Sequence, residues 1–190
     1  MTKRTLGSFL AALFLLCGAV AWADSYSDTI TLFKNAGESA EYFHNSYGYA
    51  VFPTIGKGGL VVGGAHGKGH VYEHGRYVGD TSMTQVTVGF QAGGQAYSEI
   101  IFFQNKDAFD DFTKSNFEFG ADVSAVAITA AAGGSVGTTG ANSGASGGKK
   151  DATTAGKYYK GVVVFTIVKG GAMYQATVGG QKFTYSPKAS

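Results

Sequence analysis

Three of the four histidines, His66, His70 and His74, stand four residues apart in VVGGAHGKGHVYEHGRYVGD, residues 61–80. That spacing would gather them on one side of a helix, where imidazoles can share a metal ion. The stretch is too rich in glycine to be helical, and its alternation fits β-hairpins instead. Gly67-Lys68-Gly69 reads as one tight bend and Glu73-His74-Gly75-Arg76 as a second, with His74 at a tip where positive φ is tolerated. His66 and His70 then flank the first bend and His74 belongs to the other. No neighbouring Cys or carboxylate pair completes a coordination shell, so neither a metal nor a cofactor is expected.

Other chemistry is sparse. The chain has no His-Glu-x-x-His, no pair of cysteines and no Gly-x4-Gly-Lys-Ser/Thr loop. GKGGLVVGGAHGKG resembles a nucleotide cradle only in its glycines, because that fingerprint needs a strand, a tight turn and then a helix. Asp110 and Asp111 are adjacent, which turns them about 100° apart on a helix and away from a common substrate. The reading is of a non-catalytic protein with no catalytic residues and no nucleic-acid partner.

The N-terminus limits the compartment. Lys3 and Arg4 precede the apolar run TLGSFLAALFLLCGAVAWA, which ends in Ala21-Trp22-Ala23. This is the form of a secretory signal peptide over residues 1–23, cut after Ala23. Large Leu16 before Cys17 argues against a lipoprotein site. Cleavage removes the only Cys and two of the 15 basic residues, leaving 13 to balance 13 acids. The expected mature chain is one domain, 24–190, without disulfides, in the periplasm or envelope. Its charge is uneven: from Lys149 onward seven lysines face only Asp151.

Periodicity supplies the elements. In SYSDTITLFKNAGESAEYFHNSY, Leu32, Ala36, Ala40, Phe43 and Tyr47 form the stripe of an N-terminal amphipathic helix. Ser25 and Asp28 suggest a capping box at its start, and Gly48 a stop. TQVTVGFQA alternates, with Val86, Val88, Phe90 and Ala92 as the apolar side of a half-buried strand. EIIFFQ is apolar on both faces and reads as a central strand. NKDAFDDFTK reads as a short helix capped by Asn105, with Ala108, Phe109 and Phe112 inward. ADVSAVAITAAA fits strand or helix, and residues 133–156 form a glycine- and serine-rich flexible loop with Val136 as its one large apolar residue. KGVVVFTIVKGG and AMYQATVGGQKFTYS close the chain as a hairpin. The expected fold class is α+β: an antiparallel, glycine-rich sheet or small barrel with two helices.

Three blocks, YGYAVFPTIGKGGLVVGGAHGKGHVYEHG, VTVGFQAGGQAYSEIIFFQNKDAFDDF and YKGVVVFTIVKGGAMYQATVGGQKFTY, resemble the SYLF family in its exported bacterial form. The resemblance covers nearly the whole mature chain outside the 133–156 loop. It implies a lipid-binding, non-catalytic module that associates with anionic phospholipids. In eukaryotic relatives a basic amphipathic N-terminal helix makes the membrane contact. The corresponding helix here carries four acids and one lysine, so that contact does not transfer.

The function expected is peripheral binding to anionic phospholipid. Candidate contacts are Lys57, Lys68, His70 and Arg76 on the glycine-rich turns, and Lys157, Lys160, Lys169 and Lys182 near Tyr158 and Tyr159, with cations for phosphate and aromatic rings for the interface. Two alternatives stand beside it: a small outer-membrane β-barrel, or a structural, self-assembling envelope protein without a ligand.

Overall fold

The computed structural model describes residues 20–59, 62–88, 93–114, 116–130, 136–137, 156–170 and 178–189. The leader up to residue 19, and the 133–156 loop apart from residues 136–137 and 156, lie outside the described residues. In chain order the elements are helices α1 (Val20–Asn35), α2 (Gly37–Ala40) and α3 (Tyr42–Asn45), then strands β1 (Gly48–Gly59), β2 (Val62–Glu73), β3 (Arg76–Val88) and β4 (Gly93–Phe103). Helix α4 (Lys106–Thr113) and strands β5 (Phe117–Glu118), β6 (Ala125–Ala130), β7 (Val136–Gly137), β8 (Val162–Gly170) and β9 (Gln181–Pro187) follow. The strands form one sheet in the order β5-β9-β3-β2-β1-β4-β8-β6-β7, curled into a half-barrel.

Several expectations are met. EIIFF, residues 99–103, closes β4 between β1 and β8, and Ile100 to Phe103 are buried on both faces. Asn105 caps α4 by accepting a hydrogen bond from the Ala108 amide, and Phe109 and Phe112 are buried.

Others are corrected. The N-terminal helix is broken into three pieces: Ala36, extended at φ −86 and ψ 101 just before Gly37, separates α1 from α2, and Glu41 stands between α2 and α3. It also begins before Ser25, so Ser25 is no cap; its carbonyl accepts from the Thr29 hydroxyl at 2.6 Å. The buried stripe is Tyr26, Thr29, Phe33 and Ala36 rather than the one through Leu32 and Ala40. Gly67-Lys68-Gly69 is not a bend: β2 runs straight through it, and only His74 and Gly75, at φ 47 and 77, turn the chain. β8 and β9 are not a hairpin, since four strands separate them. The sheet is not wholly antiparallel either, as β6 pairs with β8 in parallel.

The side-chain phase in β3 is inverted. Gln85 is 4 % exposed and Val86 76 % exposed. The residues opposite decide this: Val86 faces Gly64 on β2, which offers it no side chain to pack on, whereas Gln85 faces Ala65 and Gln181 and donates to the Gly179 carbonyl at 2.8 Å.

The sheet has two faces with separate cores. On the inner face Phe52, Ile55, Met83, Ile101, Phe103, Val164 and Phe183 pack with Phe109 and Phe112 of α4. On the outer face Tyr49, Val51, Ile100, Phe102, Val163 and Phe165 are covered by Tyr26, Phe33, Ala36 and Tyr42 of the N-terminal helices. A bulge at Pro53 keeps Phe52 and Ile55 both inward, and the Ser98 hydroxyl donates to the Pro53 carbonyl at 2.7 Å. Gly67 and Gly69 make the tight curl possible. A Cβ there would lie 2.6 Å from Ile55 Cγ1 and 2.7 Å from Phe52 Cδ1.

Candidate functional site

The helices cover the outer face over β1, β4 and β8 and leave it open over β2, β3 and β9. Register builds the open part: His70, Asp80 and Ser186 form one row, Lys68, Ser82 and Thr184 the next, and His66, Thr84 and Lys182 a third. Tyr26 of α1 overhangs the first rows. Together Tyr26, Lys68, His70, Asp80, Ser82, Thr184 and Ser186 line an open groove of about 600 Å³.

Each groove residue is placed by its neighbours. The Tyr26 ring lies flat on His70, with centroids 3.5 Å apart and planes within 3°. His70 Nε2 is 3.3 Å from Asp80 Oδ1, and the Tyr77 hydroxyl donates to the same oxygen at 2.8 Å. Burial holds the His70 imidazole below its ordinary 6.5, against the upward pull of Asp80. Burial, with Asp80 and Tyr72 adding to it, pushes the Tyr26 phenol up to about 12. The imidazole is therefore neutral at pH 7. Ser82 and Thr184 share a hydrogen bond of 2.6 Å across the groove floor.

The remaining candidates are dispersed. Lys57 faces inward opposite Ala65, is only 7 % exposed, and has its ammonium lowered by burial. Arg76 stands exposed beside the β2–β3 turn and Lys157 is exposed ahead of β8. Tyr158 packs edge-on against Tyr42 at 5.3 Å in the outer core. Tyr159 and Lys160 both hold Asp122, at 2.5 and 2.8 Å, and these bonds keep its carboxyl down at about 2. Lys169 reaches the Thr54 hydroxyl at 3.2 Å, and Lys182 pairs with Glu118 at 3.5 Å. Of the ten candidates, the groove gathers only Lys68 and His70. Among the described residues no group of three or more His, Cys, Asp or Glu side chains could hold a metal ion.

Sequence reasoning missed Tyr26, Asp80, Ser82, Thr184 and Ser186. The alternation was visible in DTSMT and KFTYS, but nothing local says that β9 lies beside β3. It also missed Glu99 on the inner face, fully buried and accepting from Gln181 Nε2 at 3.0 Å. A lone acid within a strand of apolar residues was the available signal.

Fold and groove define a β-rich half-barrel domain whose two sheet faces carry separate packed cores and whose polar chemistry is open on the outer face. The chain belongs to the SYLF, or Ysc84, family: the family described as "Las17-binding protein actin regulator" matches residues 84–188, more than half of the chain. It is also similar to Beta cell expansion factor A of Aeromonas veronii, 28 % identical over 157 residues, which cover 81 % of this chain and 51 % of that protein. The chain thus spans about half the length of the curated relative it matches.

Proposed function

We propose that the protein is a non-catalytic phospholipid-binding protein that associates peripherally with anionic membranes through the open outer face of β2, β3 and β9. The observation that carries this reading is the placement of Val62 and Val86, large apolar side chains left 63 % and 76 % exposed. They are diagonal neighbours on the same face as Lys68 and Lys182, at the glycine-rich end of the sheet. Apolar side chains flanked by cations suit the boundary between headgroups and acyl chains. Lys68, Arg76 and Lys157 pair with no acid among the described residues, which leaves their charge available to lipid phosphate.

Family membership supports the lipid reading. The outer-membrane barrel is disfavoured by the covering of β1, β4 and β8 with helices and by the polar rows of β2, β3 and β9. Such a barrel needs an apolar belt facing lipid. No described helix is long and apolar enough to cross a membrane. Export with cleavage after Ala23, into the periplasm or envelope, is part of the proposal. Cleavage there would fall within α1, three residues before Tyr26.

Flotation with vesicles tests the reading. Binding is expected to phosphatidylglycerol-containing vesicles over pure phosphatidylcholine and to fade at high salt. Lys68→Ala should cost about 1 kcal/mol, roughly fivefold in affinity. Val86→Asp should weaken binding further by removing apolar contact and adding like charge. Equal binding to both vesicle types would refute the electrostatic reading, and the absence of binding would refute the function.

A further inference from the structure

The groove holds both an ammonium and a carboxylate, and they do not neutralise each other. Lys68 faces Ser82, and Asp80 lies two positions along β3 from Ser82 on the same face. The two are therefore diagonal neighbours, with Cα atoms about 7–8 Å apart in sheet geometry. Asp80 is occupied on one side only. His70 Nε2 and the Tyr77 hydroxyl both approach Oδ1, and no described residue is hydrogen-bonded to Oδ2. The Asp80 side chain is 63 % exposed, so its free oxygen is accessible from the groove. Lys68 is likewise exposed and pairs with no acid among the described residues.

A purely anionic headgroup would meet Lys68 favourably and Asp80 unfavourably. A choline headgroup carries a cation but no N–H for Oδ2 to accept. The complementary ligand is a phosphate ester with a primary ammonium a short spacer away: phosphate on Lys68 and on whichever hydroxyl of the Ser82–Thr184 pair is not donating to the other, ammonium on Asp80 Oδ2. We infer that the groove between Lys68 and Asp80 is a seat for a phosphoethanolamine headgroup. This rests on the membrane reading above, which it deepens: anionic lipid draws the protein to the surface, and the groove then selects the ethanolamine lipid.

Vesicles with a fixed phosphatidylglycerol fraction, the remainder being either phosphatidylcholine or phosphatidylethanolamine, separate the two ideas. The expected result is several-fold tighter binding to the ethanolamine vesicles. Asp80→Asn keeps the Oδ1 acceptor for His70 and Tyr77 but removes the charge, and should erase that preference while preserving the dependence on phosphatidylglycerol. Lys68→Ala should weaken binding to both vesicle types. Soluble phosphoethanolamine, but not phosphocholine, should shift the amide resonances of Lys68, Asp80 and Ser82. Those shifts without a vesicle preference would assign the seat to the free phosphoethanolamine ester rather than the lipid. Equal binding to the two vesicle types, with no shifts from phosphoethanolamine, overturns the inference and leaves the membrane reading standing. A preference that survives Asp80→Asn belongs to bilayer packing and also overturns it. Failure to bind any vesicle removes the membrane reading itself.

Discussion

Glu99 on the inner face and Asp80 on the outer face are strand carboxylates of one sheet, each in contact with a polar side chain of another strand, Gln181 for Glu99 and His70 for Asp80. Glu99 is fully enclosed, and burial pushes its carboxyl up to about 8, with the Gln181 amide pulling the other way. Asp80 is open to solvent on one side, its side chain 63 % exposed, and lies 3.3 Å from the His70 imidazole. What separates them is the number of apolar neighbours. Phe52, Tyr97, Met83 and Phe183 crowd the inner face, whereas the outer rows around Asp80 are polar and open to solvent. One sheet can therefore place an enclosed acid and a solvent-exposed acid on its opposite surfaces, the first serving the fold and the second free to meet a ligand.

The contrast is most easily broken at the inner face. Phe183 is 1 % exposed and meets the rings of Phe52, Phe112, Phe117 and Phe119. Phe183→Ala should cost about 3–5 kcal/mol in urea unfolding. Thr184→Ala, the next residue but on the outer face, should shift the urea midpoint far less. Similar costs at the two positions would mean that the outer rows are packed as tightly as the inner ones.

Glu99 gives the next effect. Its carboxyl titrates near 4.5 in the unfolded chain and near 8 in the folded protein. Below about pH 4.5 both states hold the proton and stability is highest. As pH rises towards 8 the unfolded chain loses its proton first, so stability falls, by up to about 1.4 kcal/mol per pH unit, and then levels off. Glu99→Gln keeps an acceptor for Gln181 and should flatten this slope in urea titrations between pH 5 and 8. A slope that persists in the variant would place its source in another group.

How much of this was legible in the chain follows the range of the interactions. Asn105 and its helix, the central strand EIIFFQ and the His74-Gly75 turn were readable, because caps, two-sided burial and turn residues act within a few positions. Family membership was readable from three ordered blocks. The broken N-terminal helix was not, since its buried stripe is chosen by the sheet beneath it. The phase of β3 was not, because Val86 is exposed by Gly64 on a neighbouring strand. The groove was least readable of all: Asp80 and Thr184 meet only because β9 crosses to β3 and away from β8. Of its residues, Lys68 and His70 were chosen for their chemistry, although the bend on which they were placed is a strand.

His70 offers the smallest and sharpest test. Its imidazole faces Tyr26, Tyr72 and Tyr77 by ring contact, Asp80 at 3.3 Å and Lys68 from the same strand face. Burial lowers its pKa and Asp80 raises it, with burial the larger cause. As pH falls below about 6.5 the unfolded chain takes up the proton first, so the folded protein loses stability, in the direction opposite to Glu99. The half-exposed pair is screened, and the loss should be less than about 1 kcal/mol. Measured against His70→Gln from pH 7 to 5, the wild-type protein should become relatively less stable. Protonated His70 would also bind Asp80 more tightly and compete with a ligand ammonium there. The ethanolamine preference should therefore shrink at acid pH, starting below 6.5, while attraction to anionic lipid does not. A wild-type protein that instead gains stability over His70→Gln on acidification would show that the Asp80 charge outweighs burial, and the two faces would then differ less than their exposures suggest.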